Sequence, residues 1–223
     1  MGIQPTSQVI PSTNKLVEES YDKIASQYLD WTLSTPSPRL SYLSLLLKEL
    51  PSPSSAKVLE LGCGAGVPGT QFLAKSCAHV TGVDISSAQI TLANQHVKST
   101  YSNTEFIQSD MLALDIEQGS FDAVVGLYSI LHLTRSDQVV AMELIRGLLK
   151  PGGVFVGNFS LEGTAKTGTW IGGEKMFWAG WEKEDWLGKL EEGGFEVLKA
   201  DVVVDVEDRR EVRFLWIVAK IKS

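Results

Sequence analysis

The stretch Val58-Leu59-Glu60-Leu61-Gly62-Cys63-Gly64-Ala65-Gly66 decides the fold. It begins in a short apolar run, Lys57–Leu61, of the kind that forms a buried strand, and it breaks at three alternating glycines. Glycine permits a sharp turn and lets a ligand approach the backbone without meeting a Cβ. The pattern of Val67–Lys75 is helical, so the glycines sit at a strand-to-helix turn. The dinucleotide fingerprint is GxGxxG. Here the spacing is GxGxG, preceded by Glu60, which disfavours a nicotinamide cofactor and a hydride-transfer enzyme.

The next segments narrow the ligand. His79–Asp84 reads as a second strand that ends in a carboxylate, and Ser86 caps a helix with Ile90, Ala93 and Val97 inward. A carboxylate at that strand tip can accept hydrogen bonds from both hydroxyls of a ribose. Thr104–Gln108 is a third strand, followed by Ser109-Asp110-Met111. Asp110 can accept from an adenine amino group while Met111 lies against the ring. Phe121–Leu127 and Val154–Asn158 are further apolar strands, separated by a helix over Ser136–Leu149 that Lys150-Pro151-Gly152-Gly153 stops. Glu184–Glu192 is a helix, and Phe195–Val204 with Val212–Ala219 flanks the charged turn 207–211 as a hairpin. Strands alternating with helices imply an α/β fold, a parallel sheet covered on both faces.

Upstream, residues 1–13 read as a flexible tail and 14–223 as a single domain. Within it, 14–55 supplies N-terminal cap helices. Asn14 caps the first, which carries Val17, Tyr21, Ile24 and Tyr28 at helical spacing; Pro36 and Pro38 open the second, with Leu40, Leu43, Leu47 and Leu50 on one face. Residues 160–186 form an aromatic insertion holding Trp170, Met176, Phe177, Trp178, Trp181 and Trp186. Two readings of it stand: a lid over a substrate, or packing on the sheet or a dimer face.

Bulk properties exclude several classes. The 223 residues are 43% hydrophobic and 21% charged, which suits one domain with a substantial core. The net charge of −7 and the lack of a basic cluster argue against nucleic acid as a partner. Two cysteines and three histidines make neither a disulfide framework nor a metal cluster, so no metal is expected. No signal sequence and no membrane span is visible, which makes a cytoplasmic protein, monomeric or homodimeric, the expectation.

Four segments occur together and in order: Val58–Gly66, Val83-Asp84-Ile85-Ser86, Phe121-Asp122-Ala123-Val124-Val125 and Leu148-Leu149-Lys150-Pro151-Gly152-Gly153. In this the chain resembles the class I S-adenosylmethionine-dependent methyltransferases, most of all the small-molecule "type 11" group. Tyr21–Tyr28 is similar to the helix that closes over the cofactor there. The resemblance implies a Rossmann-like three-layer sandwich whose seven strands run in the order 3-2-1-4-5-7-6, strand 7 antiparallel, with N-terminal lid helices. It implies that Glu60, Gly62, Cys63 and Gly64 shape the methionine end of the cofactor pocket and that Leu127 offers its carbonyl to the methionine ammonium. Asp84 would hold the ribose with Gln89 nearby, Ile85 and Met111 would sandwich the adenine, and Asp110 would take its amino group. Tyr21 and Tyr28 would reach the cofactor.

The expected reaction is methyl transfer from S-adenosylmethionine to a small, partly apolar molecule, leaving S-adenosylhomocysteine. His132 is the candidate general base; the alternative is a histidine bonded to backbone at the site wall. Tyr128, His132, Trp170, Met176, Phe177, Trp178 and Trp181 are the candidate acceptor contacts. A cofactor-binding protein that does not methylate is the other reading.

Overall fold

The computed structural model describes residues 12–207 and 210–222. The helices are α1 (Thr13–Ser34), α2 (Arg39–Glu49), α3 (Gly69–Ala74), α4 (Ser87–Ala93), α5 (Arg135–Leu148) and α6 (Lys183–Glu192). The strands are β1 (Lys57–Leu61), β2 (His79–Asp84), β3 (Thr104–Gln108), β4 (Phe121–Gly126), β5 (Leu149–Ser160), β6 (Lys166–Thr169), β7 (Lys175–Trp178), β8 (Phe195–Glu207) and β9 (Arg210–Ile221).

Seven strands form one sheet in the order β3-β2-β1-β4-β5-β9-β8. The five on the β3 side are parallel, and β9 is antiparallel to both neighbours. This is the expected order; only the labels shift, because β6 and β7 form a separate two-stranded hairpin. Successive residues of a strand face opposite sides of a sheet, and both sides here are covered. Leu59, Val124, Phe155 and Ile217 face α5 and α6, while Val58, Ala123, Val156 and Trp216 face α2 and α3. A third, smaller cluster joins Val17, Tyr21 and Ile24 of α1 to Met176 and Phe177 of β7.

Local expectations need four corrections. Ser12, not Asn14, caps α1, its hydroxyl accepting from the Lys15 N–H, so the helix begins inside the expected tail; residues 1–11 lie outside the described residues. The buried face of α2 is Tyr42, Leu43, Leu46 and Leu50, whereas Leu40 is exposed, because α2 lies along the sheet one residue rotated from the expected stripe. β5 begins at Leu149, which pairs with Phe121 before the register shifts and pairing resumes at Val154, so the Pro-Gly-Gly stop lies within the strand. The β6–β7 hairpin was not expected, its two four-residue strands being too short to give an alternation to read. The charged turn is only partly described, since 208 and 209 lie outside the described residues. Among the described residues, no helix is long and apolar enough to cross a membrane.

Candidate active site

The carboxyl ends of β1, β2, β3 and β4 meet at one edge of the sheet, where open α/β sheets bind ligands. Gly62, Gly64 and Gly66 all have positive φ (73°, 54° and 73°), which turns the chain sharply from β1 toward α3. A Cβ on Gly62 would collide with Ser129, so the loops after β1 and β4 pack backbone against side chain here.

Asp84 is held by its surroundings. One carboxylate oxygen accepts from the Gly64 N–H (2.8 Å) and the other from the Ser86 N–H (2.9 Å). Burial nevertheless raises its pKa to about 6. Glu60 accepts from the Thr70 hydroxyl at 2.5 Å. Burial lifts its pKa to about 7, against the lowering effects of Thr70 and the Arg39 guanidinium. Beside them, Gln89 is 1% exposed, and neither its amide nitrogen nor its amide oxygen has a hydrogen-bond partner among the described residues.

Two neighbouring pockets follow from this arrangement. One is lined by Asn14, Tyr21, Tyr28, Gly62, Gly64, Asp84, Ile85, Gln89, Asp110, Met111 and His132. The other shares Tyr28, Gly62 and Gly64 and is lined also by Arg39, Glu60, Cys63 and Leu127. All twelve residues assigned from sequence to a cofactor site thus line one or the other of these neighbouring pockets at the strand tips. α1 covers them. Its Asp22 accepts from the Ser86 hydroxyl (2.6 Å) and the Ala88 N–H (3.1 Å) at the start of α4, and its Asn14 amide donates to Asp110 (2.6 Å).

A cavity of about 600 Å³ adjoins the first pocket, and Tyr21, Tyr28, Tyr128 and His132 line both. Its other walls include Trp31, Trp170, Trp178 and Phe214, with Glu162, Lys166 and Glu211 at a polar side. His132 is buried between the two spaces. Its Nδ1 lies 2.7 Å from the Phe177 carbonyl and its Nε2 2.9 Å from the Tyr21 hydroxyl. Burial lowers its pKa to about 4, so the ring is neutral. A carbonyl only accepts, so Nδ1 carries the proton and Nε2 accepts from Tyr21. Tyr128, in the left-handed region at φ 56°, donates its hydroxyl to Asp205 (2.6 Å), and its ring sits under the Arg39 guanidinium (4.9 Å). Positive φ at a bulky residue marks a backbone held in place by its surroundings.

The acceptor assignments divide. Tyr128, His132, Trp170 and Trp178 line the large cavity. Met176 and Phe177 do not, because α1 covers β7 and buries both side chains; Phe177 reaches the site only through its carbonyl. Trp181 lies on the far side, between Arg135 (4.6 Å) and Lys189 (4.0 Å). Trp186 is core, stacked on Phe159 at 3.9 Å. Residues missed from sequence are Asn14, Trp31, Arg39 and Phe214. Arg39 alone left a signal, as a cation at a Pro-initiated helix start in an acidic chain; the others come to the site through tertiary packing.

Residues 58–153 match the family model described as a methyltransferase domain. Over 101 residues the chain is 34% identical to a sterol 24-C-methyltransferase of Gibberella zeae, covering 44% of this chain and 26% of that protein. The match thus spans about a quarter of that relative's length. Among solved structures, the chain is similar to the 1,6-didemethyltoxoflavin-N1-methyltransferase of Burkholderia thailandensis, with bound 1,6-didemethyltoxoflavin and S-adenosylhomocysteine (17% identity, 98% of this chain and 94% of that one, TM-score 0.71). It is also similar to the cyclase SpnF (16% identity, 96% and 98%, TM-score 0.72). Residues 58–153 thus resemble a methyltransferase domain, and the chain as a whole shares its fold with these two solved structures.

Proposed function

We propose that this protein transfers a methyl group from S-adenosylmethionine to a small, partly apolar molecule. The observation that carries the reading is the shared wall. Tyr21, Tyr28, Tyr128 and His132 line both the cleft at the strand tips and the 600 Å³ cavity, as a transfer between two bound molecules requires.

The cleft fits S-adenosylmethionine. The unpartnered Gln89 amide offers a donor and an acceptor beside Asp84, whose carboxylate oxygens retain lone pairs for ribose hydroxyls. Ile85 and Met111 supply apolar faces near Asp110. At the other end Arg39 suits a carboxylate, while Glu60 and the Leu127 carbonyl suit an ammonium. When bound, the cofactor supplies an activated methyl electrophile. The chain's own part is to align, to exclude water through α1 and the β6–β7 hairpin, and to hold a neutral His132 at the shared wall. The aromatic hairpin is the acceptor lid in this reading.

A second reading, a cofactor-binding protein with another reaction, has one observation in its favour: a cyclase shares the fold. Incubation with isotopically labelled S-adenosylmethionine and a metabolite extract separates them. Label in a small molecule, with S-adenosylhomocysteine formed, supports methyl transfer; binding of S-adenosylhomocysteine without any labelled product supports the second reading.

A further inference from the structure

The large cavity is built for flat rings. Trp31, Trp170, Trp178 and Phe214 contribute to its walls, and Trp170 meets Tyr28, Trp31 and Trp178 at centroid distances of 5.5, 5.8 and 6.2 Å. Such a set offers π faces and edges to a planar guest. Glu162 and Lys166 pair with each other, so Glu211 is the other charge on the polar side of the wall and the aromatic side carries none.

At the shared wall the hydrogen-bond directions are fixed. Phe177 carbonyl orients His132, and His132 Nε2 accepts the Tyr21 proton. With its proton directed at His132, the Tyr21 oxygen acts as an acceptor, so a cavity ligand that hydrogen-bonds to it does so by donating a proton. We propose that the acceptor is a planar conjugated compound bearing an acidic hydroxyl, a phenol or enol, whose proton passes to Tyr21 as Tyr21 passes its own to His132. This rests on the methyl-transfer reading above. In the step, the acceptor O–H bond breaks, the Tyr21 O–H is remade, and Nε2 gains the proton. The acceptor oxygen forms the new bond to the methyl carbon while the electrons of the carbon–sulfur bond return to sulfur, leaving a methyl ether, a neutral thioether and an imidazolium.

The weakness of the base disfavours a weakly acidic hydroxyl. A buried imidazole with a pKa of about 4 is least matched to an aliphatic alcohol, whereas a phenol and an alkylammonium, both with a pKa near 10, present it with similar acidities. An ammonium would be drawn to aromatic faces, so it is the competitor to test.

Isothermal titration calorimetry on the full chain, saturated with S-adenosylhomocysteine, compares naphthol, methoxynaphthalene, naphthylmethylamine and a saturated decalin alcohol. Naphthol is expected to bind about tenfold tighter than the other three, the equivalent of one hydrogen bond or of the lost ring contacts. Y21F, which keeps the ring, should bring naphthol and its methyl ether within about twofold of each other. Equal or tighter binding of the amine, the ether or the saturated alcohol overturns the inference, as does failure of every naphthalene probe while S-adenosylhomocysteine binds. Failure of S-adenosylhomocysteine itself overturns the methyl-transfer reading, and this inference with it.

Discussion

The Asn14 side-chain amide donates to the Asp110 carboxylate at 2.6 Å, across 96 residues of sequence. It presents to Asp110 the same N–H chemistry as the amino group of an adenine. The other Asp110 oxygen accepts from the Leu112 N–H at 2.9 Å, so the carboxylate is fixed whether or not a base is present. Asn14 thus ties the first turn of α1 to the rim of the nucleoside pocket, as Asp22 ties its middle to α4.

N14A is expected to loosen that tie. A hydrogen bond to a charged group contributes about 1.5–3 kcal/mol at most, and this one is only partly buried, so the global stability loss should be about 1 kcal/mol. The larger effect is kinetic: S-adenosylhomocysteine should leave several-fold faster, because α1 opens more readily. Stopped-flow displacement measures it; an unchanged dissociation rate would show that Asn14 does not hold the lid.

Glu60 predicts a pH dependence with a definite sign. Its pKa rises from 4.5 to about 7 in the fold, mainly through burial. A carboxyl that binds its proton more tightly when folded subtracts stability as pH rises from the unfolded value to the folded one. E60Q removes this penalty. In the absence of ligand it should be more stable than the wild type above pH 7, by an amount on the order of 3 kcal/mol, and the difference should vanish below about pH 4.5. Urea melts at pH 4.5 and 8 test it. Equal stability at pH 8 would mean that Arg39 and Thr70 already compensate the buried charge.

Much of this was legible in the sequence. β1, β2 and β3 were readable to the residue because each is a short strand-forming segment between turns, and the glycines and Asp84 fall where strand ends must place them. The cleft followed, since its walls are those strand tips. The acceptor side was harder to read. Trp178 and Met176 are two residues apart on a short strand, yet one lines the cavity and the other is buried under α1. That difference depends on where a distant helix lands, which no local pattern records. Phe214 arrives from the far end of the chain for the same reason.

His132 should behave as a neutral base that is already deprotonated at ordinary pH. H132A is expected to lower turnover by about a hundredfold or more, while calorimetry still detects S-adenosylhomocysteine. With its pKa at about 4, the ratio of wild-type to H132A turnover should be constant from pH 8 down to about 5.5 and shrink only near pH 4. A ratio that falls with a midpoint near 6.5 would place His132 in an exposed or charge-paired setting and contradict the buried geometry. An H132A rate equal to wild type would remove it from the reaction.

The tryptophans supply the contrast between lid and core. Trp186 has no exposed surface and stacks on Phe159, so W186A should cost about 3–5 kcal/mol, as large buried aromatics do. Its indole N–H has no partner among the described residues, so W186F gives up no hydrogen bond and should cost less than W186A. Trp170 is half-buried at the edge of the α1–β7 cluster and packs against the Tyr21, Tyr28, Trp31 and Trp178 rings of the cavity wall. W170A should cost about 1 kcal/mol or less in stability and instead raise the KM for the acceptor, with S-adenosylhomocysteine affinity little changed. Thermal melts of the three variants, set beside steady-state kinetics, decide the matter. If W170A unfolds the protein as readily as W186A, the hairpin belongs to the scaffold, and the cavity wall is rigid rather than a cover.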